Sequence, residues 1–273
     1  MRRNESPQQF PWLLSLPIMR AMQGVYGFLY DEEADLLMAA TIRALTMPGA
    51  SRTVVELGSY CGKSTVVFGL VAKALDPRAR VYAVDPHEGV LPMPGKNIQV
   101  EPTFVEFTRT LEKTGLEQVV VPITARSTDV AWDKPIDLLF IDALHDYESV
   151  AADFRHYAQC VVPRGYVAFH DYGNADFPGV TSAVDEVVAQ GGYLLVQRAA
   201  EVVVLEKQDT HRRVRGVPLS FPRASSGPRI GPSRMGRAWQ SLLAGAGKRH
   251  TRTICIEDGG APCPGGEAPT AET

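Results

Sequence analysis

The chain has 273 residues, of which 45% are hydrophobic and 22% are charged, and its net charge is −3. This length and composition are typical of one globular domain with extensions, and the net charge gives no indication of nucleic-acid binding. The charge is uneven, because residues 207–273 hold 11 Lys and Arg against 5 Asp and Glu. An acidic body is therefore followed by a basic tail.

Cysteine usage and hydropathy predict a cytoplasmic protein that does not enter a membrane. None of the four cysteines lies in a C-x-x-C pair, which argues against a zinc site and a disulfide framework. Residues 11–30 lean apolar but contain prolines and polar side chains, so they are a poor membrane span. Arg2 and Arg3 precede no long apolar run, which argues against an export signal.

Residues 1–50 are predicted to form an N-terminal helical extension or lid. A helix is expected over residues 34–45, because the acids at 31–33 suit a helix N-terminus and Pro48-Gly49 stops it. The aromatic and methionine side chains of this region suit packing onto the rest of the protein or a homo-oligomer interface through these helices.

Strand and helix signals alternate from residue 51 onward. Strands are predicted over residues 53–57, 80–84, 119–123, 136–141, 166–169, 193–196 and 201–205. Helices are predicted over residues 62–75, 103–113, 147–160 and 181–190. This alternation predicts an α/β fold, with a doubly wound, mostly parallel, seven-stranded Rossmann-like sheet that carries helices on both faces.

The predicted central domain covers residues 51–207, and a basic tail follows over residues 208–273. The tail is rich in Pro, Gly and Arg, and this composition predicts a largely disordered segment. A short helix over residues 236–247 is the one regular element that its pattern allows.

The turn after the first predicted strand is the most informative segment, and residues 54–65 read VVELGSYCGKST. Its Gly-Lys-Ser-Thr is like the end of a phosphate-binding loop, but such a loop has four residues between its first Gly and the Gly-Lys-Ser. Here Gly58 and Gly62 enclose three residues. Glu56, at the end of the strand, would repel a triphosphate and attract a cation. The segment therefore favours a cationic cofactor that carries no phosphate.

Polar side chains follow the later predicted strands, at the edge where a parallel sheet binds its ligands. Asp85 is placed to accept hydrogen bonds from a ribose diol, and residues 125–127 could read an adenine edge. Asp142 and His145 follow the fourth strand, and His170-Asp171 ends the fifth. Each has a structural alternative, such as a helix N-cap for Asp142. Together they predict one ligand site.

This set of motifs resembles the class I S-adenosylmethionine-dependent methyltransferases, most of all the group that includes metal-dependent small-molecule O-methyltransferases of antibiotic biosynthesis. The resemblance covers about residues 50–205. The matching segments are 56–64 (ELGSYCGKS), 84–85 (VD), 141–147 (IDALHDY) and 163–171 (PRGYVAFHD). E-x-G-x-x-x-G alone is moderately specific, whereas its combination with D-x-x-H-x-Y and G-x-x-x-x-H-D is strong.

The resemblance implies that residues 51–207 bind S-adenosylmethionine. The implied cofactor-binding residues are Glu56, Gly58, Ser59, Tyr60, Gly62, Ser64, Asp85, Ser127 and Asp142. Lys63, unnecessary for a cofactor without phosphates, is expected to face solvent or a neighbouring acid.

The resemblance also implies a divalent cation, held by Asp142, His170 and Asp171. Mg²⁺ is the expected ion, although the better-known relatives carry an acid or amide at the position of His170. An imidazole suits a more nitrogen-tolerant ion, so another metal or none are alternatives. Asp142 and His145 are the candidate catalytic residues. If no metal acts, His145 is the candidate general base, since its ordinary pKa of about 6.5 lies near working pH.

The predicted function is methyl transfer to a hydroxyl of a small molecule, a sugar or another natural product. An N-methyltransferase that uses His145 without a metal is the alternative, and a P-loop nucleotide hydrolase is a remote one. A non-catalytic S-adenosylmethionine-binding protein is also compatible with the motifs. No nucleic-acid or membrane partner is expected.

Overall fold

The computed structural model describes residues 13–209, which form nine strands and six α-helices. The strands are β1 (Thr53–Leu57), β2 (Arg80–Val84), β3 (Val90–Met93), β4 (Lys96–Gln99), β5 (Val120–Ile123), β6 (Ile136–Ile141), β7 (Val161–Phe169), β8 (Tyr193–Ala199) and β9 (Val202–Lys207). The helices are α1 (Ser15–Gln23), α2 (Asp31–Thr46), α3 (Lys63–Leu75), α4 (Phe104–Thr114), α5 (Tyr147–Ala158) and α6 (Pro178–Ala189). The predicted helix over residues 236–247 and nearly all of the predicted tail lie outside the described residues.

Seven strands form one sheet in the order β5-β2-β1-β6-β7-β9-β8. The first five pair in parallel, and β9 pairs antiparallel with both β7 and β8. Every residue of β1 and β6 is buried, because these central strands are covered on both faces. The prediction of a doubly wound, mostly parallel seven-stranded sheet is confirmed.

The strand order reverses between β1 and β6. From β1 the chain proceeds outward through β2 to β5, and it then returns to place β6 on the other side of β1. Ligands of such sheets bind beside this reversal, outside the carboxyl ends of the strands. The topology therefore locates the site between the ends of β1 and β6.

Two hydrophobic clusters cover the two faces of the sheet. One holds buried side chains from α1 to α4, and the other holds those of α5 and α6. The N-terminal helices belong to the first cluster, where Met22 and Leu37 are fully buried. No helix within residues 13–209 is both long and apolar enough to cross a bilayer.

Two features depart from the predicted elements. The hairpin of β3 and β4 was not predicted; Pro94 and Gly95 join its strands, and Gly95 has the positive φ (74°) that a Pro-Gly turn uses. β7 begins at Val161 rather than 166, and Pro163-Arg164-Gly165 lies inside it. The register of β6 with β7 shifts between Ile136 and Leu138, so the predicted turn is an irregularity within a strand.

Candidate cofactor and catalytic site

A cavity of about 640 Å³ lies at the carboxyl ends of the parallel strands. This volume is within the range of small-molecule and cofactor sites. The N-terminal segment 26–29 and the hairpin residues 90–92 form further parts of its wall. The predicted site residues that line it are Gly58, Ser59, Tyr60, Ser64, Asp85, Ser127, Asp142, His145, His170 and Asp171. Glu56 and Gly62 are not among the lining residues.

Gly58 lets β1 turn closely against the end of β6. Its φ is +83°, and a Cβ at this position would lie 2.1 Å from the carbonyl oxygen of Asp142. Its own N–H donates to the Val84 oxygen at 2.9 Å, and the Asp142 N–H donates to the Leu57 oxygen at 2.9 Å. Only glycine satisfies this combination of backbone angle and crowding. Gly62, with φ of +91°, precedes α3 as its N-cap.

Asp85 organises the turn that follows β1. Its Oδ2 accepts from the Ser59 and Tyr60 N–H groups at 2.9 and 2.8 Å, and its Oδ1 accepts from the His87 N–H at 2.7 Å. The two oxygens of a carboxylate offer about four acceptor sites, so these three bonds leave room for one more, and Asp85 lines the cavity. Ser59 also lines the cavity, and its buried Oγ has no hydrogen-bond partner among the described residues.

Replacing Asp85 with Asn should weaken binding of S-adenosylhomocysteine by about 10- to 100-fold, because hydrogen bonds to a charged acceptor contribute about 1.5–3 kcal/mol. Asn would also turn an N–H group toward backbone donors. Calorimetric titration of the variant measures the loss. Asp133→Asn, at an exposed position outside the cavity, is the matched control. Unchanged affinity in Asp85→Asn would show that this carboxylate neither binds the cofactor nor orders its turn.

Glu56 lies behind the turn rather than in the cavity. Its carboxyl group is fully buried and accepts hydrogen bonds from the hydroxyls of Ser64 and Thr65 at the start of α3. Burial raises its pKa to about 8 despite these two bonds. The interpretation that a charged Glu56 attracts the cofactor directly is therefore corrected: this side chain ties β1 to α3 and is neutral near pH 7.

The raised pKa of Glu56 gives stability a pH dependence. The folded protein holds a proton on Glu56 between the ordinary pKa of 4.5 and about pH 8, whereas the unfolded chain releases it. This contribution to the free energy of unfolding is full below pH 4.5 and is lost as pH rises through 8. Glu56→Gln should remove the dependence. Urea unfolding at pH 5 and pH 8.5 should show a smaller decrease for the variant than for the wild type, and equal decreases would contradict the burial effect.

Four side chains meet where β6 and β7 end. His170 Nδ1 lies 2.9 Å from Asp171 Oδ2 and 3.5 Å from Asp142 Oδ1. His145 Nε2 lies 3.3 and 3.5 Å from the same two oxygens. The structure thus brings together all the residues predicted to be catalytic or to bind a metal.

The charges of this cluster stabilise one another. Asp171 is fully buried and also accepts from Asn174 Nδ2 at 2.9 Å. Although burial opposes it, the imidazoles of His170 and His145 lower the pKa of Asp171. Burial likewise opposes the charged form of His170, but the carboxylates of Asp142 and Asp171 raise its pKa well above the ordinary value. His170 and Asp171 thus form a buried ion pair at the base of the cavity.

Glu33 is the site residue that the sequence did not reveal. It lies in the first turn of α2 and is fully buried, and its Oε2 is 3.3 Å from His170 Nε2. The acids at 31–33 predicted only a helix N-terminus, a role that Glu33 also fills by accepting from the Tyr30 N–H at 2.9 Å. Nothing in the local pattern indicates a partner 137 residues away.

Asp142, His170 and Asp171 fit a divalent cation. One potential ligand atom from each lies within 4.8 Å of the others, and two of the three residues are buried. Carboxylate oxygens and an imidazole nitrogen are ordinary ligands of divalent metals. The donor set therefore agrees with the cation that the resemblance implies.

The N-terminal segment closes one side of the cavity. Tyr26, Phe28 and Tyr60 contact one another there, with ring centroids 6.0 to 6.2 Å apart. Lys63 donates from Nζ to the Gly27 oxygen at 3.1 Å, and burial lowers its pKa. Of the two expectations for Lys63, exposure to solvent is corrected, because this side chain fastens the segment to the start of α3. The acids Asp31 and Glu33 are close enough to oppose the lowering of its pKa.

Residues 55–172 match the family model of a methyltransferase domain. This match identifies the segment as a methyltransferase domain. The match spans β1 to β7 and every polar side chain of the four-residue cluster.

Among curated proteins, an uncharacterized protein of Sinorhizobium fredii is 32% identical over 127 residues, which cover 44% of this chain and 13% of that protein. An uncharacterized protein of Acanthamoeba polyphaga mimivirus is 44% identical over 55 residues, which cover 20% of this chain and 25% of that protein. The chain thus spans a small part of these relatives.

Solved structures share the fold of this methyltransferase domain at low sequence identity. The O-methyltransferase NovP has a TM-score of 0.53 at 17% identity, covering 65% of this chain and 80% of NovP. CalS11, a TDP-rhamnose 3′-O-methyltransferase of calicheamicin biosynthesis, has a TM-score of 0.51 at 18% identity. The match covers 75% of this chain and 89% of CalS11. TomG from Streptomyces achromogenes is an O-methyltransferase of tomaymycin synthesis whose structure was solved with S-adenosylmethionine. It has a TM-score of 0.50 at 13% identity, and the match covers 74% of this chain and 93% of TomG.

Proposed function

We propose that the protein transfers a methyl group from S-adenosylmethionine to a hydroxyl group of a small molecule. The observation that carries the proposal is the convergence of the glycine turn, Asp85 and the cluster of Asp142, His145, His170 and Asp171 on one cavity. The methyltransferase domain supports the reaction class. NovP, CalS11 and TomG, which share the fold, are O-methyltransferases and support oxygen as the acceptor atom.

We place the cofactor across the carboxyl ends of β1, β2 and β5. Asp85, after β2, accepts from the ribose hydroxyls, and Ser127, which follows β5, lies on the adenine side. Ser59 offers its Oγ to the methionine portion, since that buried hydroxyl has no other partner among the described residues. Asp85, Asp142 and Asp171 supply negative charge around a cofactor that carries a positive sulfonium.

The reaction is an in-line displacement. A lone pair of the acceptor oxygen forms a bond to the methyl carbon as the carbon–sulfur bond breaks, and its electron pair leaves the sulfur neutral. The hydroxyl proton must go to a base. His145 lines the cavity, and Asp142 and Asp171 lie 3.5 and 3.3 Å from its Nε2, where they stabilise the imidazolium that forms.

Asp142, His170 and Asp171 would hold a divalent cation beside this base. When bound, such a cation lowers the pKa of the acceptor hydroxyl, so that the oxygen becomes a better nucleophile. His170 and Asp171 are 4% and 0% exposed, so electrostatic interactions there are stronger than in water. The chain's own contribution is to position the acceptor, take its proton and exclude water.

The acceptor is proposed to be a sugar or another hydroxylated natural product. Phe28, Leu29 and Leu91 add apolar surface to the cavity, while the cluster supplies the polar end. A mixed wall of this kind suits a small molecule with both apolar and hydroxylated parts.

Methyl transfer tests the proposal directly. The full-length protein, S-adenosylmethionine labelled in its methyl carbon, and paired acceptors that differ only in hydroxyl or amine are incubated with Mn²⁺, with Mg²⁺ or with EDTA. Label on oxygen of a hydroxylated acceptor is the expected result. Label on nitrogen alone, retained in EDTA, would replace the proposal with an N-methyltransferase in which His145 acts without a metal.

A further inference from the structure

The carboxylate of Glu33 is oriented by the main chain. Its Oε2 accepts from the Tyr30 N–H at 2.9 Å, and its Oε1 accepts from the Glu201 N–H at 3.1 Å. These donors belong to the start of α2 and to the turn between β8 and β9, and the side chain is fully buried. The position of Oε2 is therefore set independently of the third group that it meets, His170.

This fixed acceptor determines how His170 presents its ring. Nε2 lies 3.3 Å from Glu33 Oε2, so Nε2 carries a hydrogen and donates it to this acceptor. Nδ1 is then the nitrogen that faces Asp171 and Asp142, at 2.9 and 3.5 Å, and a bound cation would replace the hydrogen that Nδ1 carries in the metal-free cluster. A carboxylate on the far nitrogen of an imidazole is the usual arrangement behind a metal-binding histidine, because it selects the tautomer and holds the ring plane.

The resulting donor set contains nitrogen. Mg²⁺ prefers oxygen ligands alone, whereas imidazole suits Zn²⁺, Fe²⁺ and Ni²⁺, and Co²⁺ lies between Fe²⁺ and Ni²⁺ in the order of affinities. A second imidazole nitrogen, Nε2 of His145, lies 3.3 to 3.5 Å from the same two carboxylate oxygens. Two histidines thus face the carboxylate pair of Asp142 and Asp171.

We propose that Glu33 is a positioning residue that presents Nδ1 of His170 to a divalent cation, and that the site consequently binds a transition-metal ion in preference to Mg²⁺. The cation belongs to the proposed methyl transfer, so the inference rests on that function. It is nevertheless measurable with the metal alone, without any acceptor or turnover.

Direct metal binding tests the preference. The full-length protein is freed of metal with EDTA, dialysed and titrated separately with Co²⁺ and Mg²⁺, by calorimetry for both and by visible absorption for Co²⁺. We expect Co²⁺ to bind at least about 10-fold more tightly than Mg²⁺, with absorption typical of nitrogen coordination. His170→Asp, which replaces this nitrogen ligand with oxygen, should reduce the preference for Co²⁺.

The same Co²⁺ titration tests the role of Glu33. Glu33→Gln should weaken Co²⁺ binding by about 10- to 100-fold, the usual effect of losing the partner of a metal-binding histidine. Its affinity for S-adenosylhomocysteine should stay unchanged, a result that a general loss of structure would not give. Glu32→Gln, one residue earlier and exposed, is the matched control.

Three outcomes would overturn the proposal. They are a preference for Mg²⁺ in the wild type, unchanged Co²⁺ affinity in a folded Glu33→Gln, and the absence of metal binding by a protein that binds S-adenosylhomocysteine. If Glu33→Gln does not fold, the wild-type preference and its reduction in His170→Asp decide the question. Failure to bind S-adenosylhomocysteine would instead count against the proposed function itself.

Discussion

Replacing Asp171 with Asn is expected to lower the rate of methyl transfer by about 10³-fold while leaving the affinity for S-adenosylhomocysteine within about twofold. Asp171 is fully buried, and its Oδ2 lies 2.9 and 3.3 Å from the ring nitrogens of His170 and His145. Asn keeps the shape but removes the charge that stabilises both imidazoles. It also removes an anionic ligand from the candidate cation site.

The measurement is single-turnover methyl transfer, with calorimetry of S-adenosylhomocysteine on the same preparation. Asp133→Asn, which removes one exposed acid outside the cavity, corrects for the change in net charge. A full rate in Asp171→Asn would show that the cluster takes no part in the chemistry. An equal loss of rate and of cofactor affinity would assign Asp171 a role in binding or folding instead.

Replacing Gly58 with Ala is expected to destabilise the protein by about 3 kcal/mol or more and to abolish cofactor binding. The added Cβ would lie 2.1 Å from the Asp142 oxygen and 2.8 Å from the Ala143 Cα. Both are main-chain atoms at the end of β6, so relief requires the β1–β6 junction to open. That movement would displace the glycine turn and Asp142 together.

Gly49→Ala separates crowding from backbone strain. Gly49 has almost the same φ, +80° against +83°, but nothing lies within 4 Å of a Cβ built there. Gly49→Ala should lower the free energy of unfolding only by the strain of alanine in the left-handed conformation, about 1–2 kcal/mol. Urea unfolding and calorimetry of both variants provide the comparison. Equal losses of stability, with cofactor binding retained in Gly58→Ala, would contradict the close approach of β1 and β6.

The central strands were predictable because they are buried on both faces. β1, β2 and β6 have the predicted limits, since each is a short apolar run between turn signals. The placement of Asp85, Asp142 and His170 around one cavity followed from the same rule, because the carboxyl ends of parallel strands meet at one edge. The functional roles of these residues remain predictions.

The remaining features depend on contacts that no local pattern encodes. Glu33 reaches His170 only because α2 packs on the sheet beside β7 and β9. Glu56 is next to the last residue of β1, and the hydroxyls of Ser64 and Thr65 hold its side chain behind the turn, outside the cavity. The β3–β4 hairpin is two strands of four residues, too short for alternation to distinguish it from a loop.

The most direct test of the central claim is a calorimetric titration of the full-length protein with S-adenosylhomocysteine, and separately with ATP and Mg²⁺. The glycine turn has three residues rather than four between Gly58 and Gly62, and Asp85 lies against it. We predict saturable binding of S-adenosylhomocysteine and no binding of ATP. Saturable binding of ATP by a protein that does not bind S-adenosylhomocysteine would contradict the assignment of this cavity to a methyl donor.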